Sequence, residues 1–434
     1  MRNRSLPHAA MDTENEAGSA LSAAAPAKNG RTGVLNRVFR AFRYTDFRLM
    51  WLGACTSSIG TWMQILAQSW LVYQLSNSSL YLGLDAFFGQ IPIFLLSLFG
   101  GVFADRKSRR SLLLASQFIQ LACAFILSAL VWTHVVRVWH IWCLSFTVGV
   151  AQSFGGPAYS ALIPTLVEKE DLQNAIALNS IQFNLARVVG PALGGMALVK
   201  LGAKWCFLLN GFSFLAVIAS LLAIRPRFVP GKTQESVIAS MRQGIQFLLR
   251  REGMTSLVAL AFFTTLLSYP LITFLPVMAR DVFHGGPNTF TLFLCLSGAG
   301  SITGALLVAA SSKQAGLARR SIFVMLLLGL FIAGFGLSKS LSISSVLVFT
   351  AGAALMVVFA LNSSLVQMYV TDEMRGRVMS VYNVAFRGGM PLGSLFSGLL
   401  IKQASAPAIM TGNGILVFLL AIYFLIAGRK VLKL

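Results

Sequence analysis

Acidic residues are scarce: Asp and Glu number 14 in 434 residues, against 35 Lys and Arg. Charged residues of both signs make up 11% of the chain, whereas about a quarter is usual in a soluble globular protein. An ordinary soluble enzyme of this length is thereby excluded. Cysteine and histidine are also sparse, at five and four residues. Cys55, Cys123, Cys143, Cys206 and Cys295 lie within apolar runs and show no Cys-x-x-Cys spacing, so neither a metal ribbon nor a disulfide framework follows. His8 lies near the N-terminus, and His134, His140 and His284 flank apolar runs without forming a metal motif. No Gly-rich strand-to-helix loop offers a phosphate cradle, so ATP is not the evident energy source. We expect no catalysis, metal or cofactor.

What is abundant is apolar: 56% of residues by the AVILMFWYC count, with a mean hydropathy of +0.74. A net charge of +21 would suit phosphate neutralisation. Its distribution argues otherwise, because the basic residues form short clusters between long uncharged stretches. Membrane charge bias explains that pattern, and no nucleic-acid partner is expected.

Stretches free of Asp, Glu, Lys and Arg run over 49–84, 86–104, 111–136, 138–167, 205–224, 253–279, 282–312, 321–338, 340–371 and 403–428. A bilayer core needs roughly 20 apolar residues per helix, so each stretch supplies one span. Two more, 172–199 and 378–401, are broken only by Arg187 and Arg387. The expectation is an all-α integral membrane protein of 12 transmembrane helices. Strands are excluded because the apolar signal is continuous rather than alternating.

With the N-terminus inside, 27 basic residues fall on inner segments and six outside: Arg137, Lys200, Lys204, Arg280, Lys339 and Lys402. This ratio predicts an inner (plasma) membrane protein with both termini cytoplasmic. Residues 1–33 show no hydrophobic period and no apolar signal-peptide core, so they are expected to be a disordered tail, with Met1 or Met11 as the start. From Val34 to Arg48, apolar Val34, Leu35, Val38, Phe39 and Phe42 alternate with Arg37, Arg40 and Arg43. That pattern predicts a basic amphipathic helix lying against anionic headgroups.

The segment 225–253 turns polar and then amphipathic, with Val237, Met241, Ile245, Phe247 and Leu248 on one side. Read as a cytoplasmic linker, it divides the chain into bundles at 34–224 and 254–434. A weak internal repeat supports the division. Ser108–Ser111 matches Ala318–Ser321 at an offset of 210, Ser160–Val167 matches Ser363–Val370 at 203, and Arg187 with Pro191 matches Arg387 with Pro391 at 200. Two pseudo-symmetric six-helix bundles, an organisation that places a site between halves, are the expected architecture.

Gly101-Val-Phe-Ala-Asp105-Arg106-Lys107-Ser108-Arg109-Arg110 resembles the G-x-x-x-D-R-x-G-R-R signature of the major facilitator superfamily, with Ser108 in place of Gly. Gly190-Pro191-Ala-Leu-Gly194-Gly195 is similar to the G-P-x-x-G-G motif of that superfamily's drug–proton antiporters, with Ala186 in place of an upstream Gly. Asp46–Trp51 and Met374–Met379 resemble the exporter branch that contains enterobactin and macrolide efflux proteins. The resemblance implies the major facilitator fold and a gating contact between Asp105 and the start of the eleventh helix. A carboxylate at a helix N-terminus stabilises it by up to a kcal/mol or two. Arg109 and Arg110 are expected either to pair with Glu168, Glu170 or Asp171 or to serve only as positive-inside charges.

Gly190, Gly194 and Gly195 are expected to let another helix approach, with Gly298, Gly300 and Gly304 as the facing surface and Pro191 permitting a bend. Arg187 and Arg387 lie ten or more residues inside their spans. A central arginine is penalised by at least about 2.5 kcal/mol on insertion scales. Each therefore either attracts an anionic or polar substrate group, helped by Asn184 and Asn383, or bonds helix carbonyls freed near Pro191 and Pro391. Asp85 is the only carboxylate inside a span, about 9 Å from its outer end at helical rise. It is either the proton-coupling site or a group in the watery outer vestibule. Gln64, Gln68, Gln152, Thr265, Tyr269 and Asn362 sit in helices that the resemblance implies line the cavity; each is a substrate contact or a helix–helix hydrogen bond.

The leading expectation is proton-coupled export of an amphipathic drug-like or siderophore-like small molecule by alternating access. One alternative is import or exchange of an organic anion through Arg187 and Arg387. Another is a lipid scramblase or non-transporting membrane sensor. Substrate, membrane lipids and protons are the expected partners, and a monomer the expected state.

Overall fold

The computed structural model describes residues 39–106, 108–224, 237–251, 253–311 and 316–426. The predicted tail and the start of the linker lie outside these residues. Contacts divide the chain after Arg40: Ala41–Leu434 form one compact unit, and of the other, Met1–Arg40, only the last two residues are described.

Uninterrupted apolar sequence makes long helices: α1 (Thr45–Ser76), α2 (Ser79–Arg106), α3 (Arg109–Trp132), α4 (Val138–Leu162), α5 (Leu172–Lys200) and α6 (Ala203–Ala223). After a linker helix (Val237–Arg250) come α7 (Met254–Ser268), α8 (Pro287–Ala310), α9 (Leu317–Leu337), α10 (Leu341–Tyr369), α11 (Asp372–Gln403) and α12 (Ala406–Ile426). Among the described residues there is no strand, and nine helices are long and apolar enough to cross a membrane, α7 being counted with the turns that carry it on to Val282. The helices α1, α4 and α5 are not among the nine, although they contain 32, 25 and 29 residues. Gln64, Gln68, His140, Gln152, Asn184 and Arg187 dilute their apolar content. Large apolar side chains such as Leu95, Phe118, Leu306, Phe323, Ile343 and Val346 face outward. A belt of this extent suits lipid rather than water.

Packing repeats every six helices. In the first half α1 packs on α5 and α6, α2 on α4, and α3 on α4 and α6. In the second half α7 packs on α11 and α12, α8 on α10, and α9 on α10 and α12. The halves meet through α2 with α11 and α5 with α8, a pair of contacts that also exchange under the six-helix shift.

Arg187 and Arg387 each stand fifteen residues after the start of α5 and α11, roughly 22 Å along the axis. Small residues set the helix spacing. A Cβ on Gly190 would lie 2.5 Å from Trp62 Cβ, and one on Gly194 2.9 Å from Met63 Cα, so these glycines seat α5 on α1. Gly195 faces Thr291 of α8, and Gly298 faces the Arg187 carbonyl. Gly300 and Gly304 do not face α5 as expected; they meet Phe349 and Ala353 of α10. Past α7 the chain turns through Pro270–Thr273 and Leu275–Val277 into a π turn at Met278–Val282, since Pro270 and Pro276 withhold backbone donors.

Of the expected surface helix over 34–48, residues 34–38 lie outside the described residues, and the rest is interrupted. A 3-10 turn at Arg40–Arg43 is followed by extended Tyr44, with φ −83° and ψ 115°, before α1 begins. The break lets Tyr44 Oη donate to Asp171 Oδ2 at 2.9 Å and brings Arg43 within 2.7 Å of the same oxygen. Hydrogen bonding to Tyr44 and the Asp171 charge raise the Arg43 guanidinium above its usual value.

A candidate transport cavity between the two halves

One cavity of about 1710 Å³ lies between the halves, larger than most small-molecule sites. Gly101, Val102, Tyr159, Ser160, Met241, Glu373 and Arg377 line its mouth, at the end where α2 and α4 finish and α11 begins. This end also holds the start of α1 and the finish of α12, and is called here the terminal end.

The far end is shut. Tyr73 Oη of α1 hydrogen-bonds Asp281 Oδ2, which follows α7. Arg280 donates to Asn77 Oδ1 at 2.6 Å and lies 5.4 Å from the Tyr73 ring centre. Asn77 reaches Arg280 because it ends α1 in the left-handed region, at φ 48°. Below this seal α2 and α11 touch backbone to backbone: Ser79 Oγ donates to the Gly398 carbonyl, and a Cβ on Gly83 would sit 2.6 Å from the Ser394 carbonyl.

The amides of the cavity wall are concentrated in the first half, which supplies Gln64, Gln68, Gln120, Gln152, Gln182 and Asn210 where the second supplies Asn383. Apolar side chains come from both halves, among them Trp62, Ile65 and Phe183 from the first and Ile272, Leu294, Phe359 and Phe386 from the second. Phe359 and Phe386 pack edge to face at 4.6 Å. The Phe359–Phe386 pair gives the second half an aromatic wall, while the first half mixes amides with apolar side chains.

Asp85 is buried at 7% exposure, not standing in an open outer vestibule. Ser145 Oγ donates to its Oδ1 at 2.6 Å and Gln68 Nε2 to its Oδ2 at 3.0 Å. The bonds continue through the first half: Gln64 Nε2 donates to Gln68 Oε1 at 3.4 Å, Asn210 Nδ2 to Gln64 Oε1 at 2.7 Å, and Ser213 Oγ to Asn210 Oδ1 at 3.0 Å. This row ties α1, α2, α4 and α6 together and offers Asp85 two donors, the arrangement an ionised carboxylate requires.

Arg187 and Arg387 both line the cavity, Arg187 half-buried and 5.4 Å from the Trp62 ring centre, Arg387 exposed into the cavity. Neither guanidinium bonds a freed helix carbonyl, and neither has a carboxylate within ion-pair distance, among the described residues. Tyr269 lines the cavity with them.

Gln64, Gln68, Gln152, Tyr269 and Asn383 thus line the cavity, whereas three expected residues do not. Asn184 turns back to the Ser180 carbonyl at 2.8 Å, because α5 presents Gln182, Phe183 and Arg187 instead. Thr265 is fully buried against Gly389 of α11 and donates to the Phe262 carbonyl at 2.9 Å. Asn362 is buried between α10 and α9, accepting from Ser321 at 2.7 Å. Conversely, Trp62, Gln120, Tyr159, Asn179, Gln182 and Asn210 line the cavity and were not anticipated. Amides such as Gln120 and Gln182 are conspicuous in apolar runs, but sequence alone does not separate packing amides from lining ones.

In the signature segment, Gly101 borders the cavity and Arg106 is exposed; the Asp105 side chain and Lys107 lie outside the described residues. Arg109 and Arg110 do not take the acids offered to them. Arg109 donates to the Ala161 carbonyl at 2.7 Å and Arg110 to Leu221 and Leu222 at 2.5 and 2.8 Å, covering the ends of α4 and α6. Helix C-termini present unbonded carbonyls and partial negative charge. It is Arg43 that pairs with Glu168 and Asp171.

Residues 37–431 match the family described as transmembrane secretion effectors, within the major facilitator superfamily. The chain belongs to this family. It is 26% identical to the staphyloferrin A transporter of Staphylococcus aureus over 86% of this chain and 94% of that one. It is 22% identical to macrolide efflux protein A of Streptococcus pyogenes, covering 88% and 96% of the two chains. It is 25% identical to the enterobactin exporter EntS of Shigella boydii, covering 86% and 89%. Among solved structures, a bacterial homologue of the human lysosomal transporter Spinster, in an inward-facing and occupied conformation, matches with a TM-score of 0.69 at 14% identity. That match covers 90% of this chain and 98% of the other, and it shows the fold. The protein is a multi-pass membrane transporter of the major facilitator superfamily, not an enzyme.

Proposed function

We propose that this transporter exports an amphipathic drug-like or siderophore-like small molecule in exchange for protons, by alternating access across a bacterial inner membrane. In this reading all of α1 to α12 span the bilayer, a single chain suffices, and both termini are cytoplasmic. The terminal end is then inside, and the arrangement with the far end sealed corresponds to an inward-open state.

The observation that carries the reading is one large cavity open at one end, sealed at the other by Tyr73 and Asp281, with one buried carboxylate in its wall. Protonating Asp85 removes the negative charge that Gln68 and Ser145 both address and turns one of its two accepting oxygens into a donor, so protonation loosens the row of bonds joining α1, α2, α4 and α6. A proton from outside thereby favours a rearranged first half, and its loss inside restores the present one. The relatives named for efflux and siderophore export support the direction.

Purified protein in vesicles with an imposed pH gradient, loaded with a fluorescent amphipathic dye or a macrolide, tests this. We expect gradient-dependent movement, and Asp85→Asn should transport no better with a gradient than without one. Equal gradient dependence in Asp85→Asn and wild type would overturn the coupling.

A further inference from the structure

We infer that the cavity binds its solute as an anion, with Arg187 and Arg387 together supplying the counter-charge and the aromatic wall taking the apolar body. The inference rests on the transport reading above and names the substrate class of the same site.

Four observations converge. First, both guanidiniums line the cavity, and each stands at the same depth of its helix in the two halves. Second, neither is neutralised: among the described residues no Asp or Glu forms an ion pair with either, and no backbone carbonyl accepts from them. Several other arginines are engaged by contrast: Arg43 has Asp171, Arg109 and Arg110 have helix ends, and Arg280 has Asn77. Third, the carboxylate deep in the same cavity is committed elsewhere, since Asp85 accepts from Gln68 and Ser145. Fourth, Arg187 lies over Trp62, which holds the cation without discharging it, and Tyr269 lines the same cavity as both cations.

A guanidinium is planar and presents paired donors that fit a carboxylate or a similar oxyanion in two parallel bonds. Two of them, one per half, favour a solute carrying at least one such group and best two. Binding across both halves also gives the solute a part in conformational change. It draws α5 and α11 towards a common anion, whereas the empty cavity leaves two like charges facing one pathway. A cationic amphiphile meets repulsion from both, and a neutral one gains only the aromatic wall.

The test uses the full-length purified protein and a rigid series: phthalate, terephthalate and biphenyldicarboxylate, their dimethyl esters, and the matching bis-aminomethyl compounds. Calorimetric titration should show binding by at least one dicarboxylate, weakened by salt, with esters and diamines about tenfold weaker or undetectable. Arg187→Gln and Arg387→Gln should each weaken the dicarboxylate about tenfold or more, and the double variant should lose it. Lysine at either position should restore part of the affinity, which a purely structural role would not require. Esters or diamines binding as tightly as the acids, no acid binding at all, or an unaffected double variant would each overturn the inference. Vesicle flux separates this from the export reading. If the double variant still binds the dicarboxylate and exports an amphipathic dye carrying a carboxylate at the wild-type rate, the anion site falls and export stands; if dicarboxylates bind but no gradient-driven export of any probe occurs, the reverse holds.

Discussion

The far-end seal has few polar parts, so its contribution to the closed state is open to measurement. Tyr73→Phe keeps the ring, which is buried at 5% exposure, and deletes only the hydroxyl that reaches Asp281. A hydrogen bond to a charged acceptor contributes about 1.5 to 3 kcal/mol when shielded. Asp281 is exposed, and solvent screening brings the expected loss down to about 1 kcal/mol, roughly fivefold in the closed-to-open ratio. Adding Arg280→Ala removes the bond to Asn77 and the cation over Tyr73, and should bring the shift to roughly 2 kcal/mol, about thirtyfold. The readout is a cysteine at Leu82, a cavity-lining position only 2% exposed, in a background where the five native cysteines are alanine. In intact cells a membrane-impermeant maleimide added outside should label Leu82→Cys slowly, about fivefold faster with Tyr73→Phe, and faster again in the double variant. Fast labelling without the gate substitutions would refute closure at this end. An unchanged rate in both variants would refute the assignment of the seal to these residues.

Two further outcomes follow from packing and from the cavity lining. Gly300→Ala would put a Cβ 1.9 Å from the Phe349 carbonyl, whereas Gly101→Ala meets nothing within 4 Å; the first should lower thermal stability by about 1 to 3 kcal/mol and the second by less than about 0.5 kcal/mol, measured on purified protein. Asn383→Ala, at a lining position, should change the apparent affinity for transported solutes, while Asn184→Ala, whose amide only bonds Ser180, should leave it within about twofold; equal effects would show that the lining is wrongly drawn.

Charge was the feature most legible in the sequence. Arg187, Arg387 and Asp85 interrupt long apolar runs, and a charge inside a span has few tolerable environments; the two arginines line the cavity where the sequence placed them, and Asp85, for which a watery vestibule was the alternative, is buried in its wall. The helices were legible for the same reason, since continuous apolar sequence leaves few alternatives to a spanning helix. Neutral polar residues behave differently. Asn362, Thr265 and Asn184 bond a hydroxyl or a helix carbonyl, while Gln182 and Asn210, of the same kind in sequence, stand in the cavity wall. An amide is satisfied as well by a neighbouring helix as by a wet cavity, and only the rotation of each helix decides which it meets.

Small residues carry that rotation. Gly190 and Gly194 bring α5 so close to Trp62 and Met63 of α1 that little angular freedom remains, and Arg187 is held on the face that meets Trp62. In α11, Gly389 and Gly393 press on Thr265, Phe262 and Leu266 of α7 in the same way, leaving Arg387 on the open side. The repeat therefore conveys more than a fold: in each half, a glycine pair a few residues beyond the arginine fixes the helix against its neighbour and aims the charge inward. A larger residue at Gly194 or Gly393 would act on the site without touching it, by turning the arginine out of the cavity.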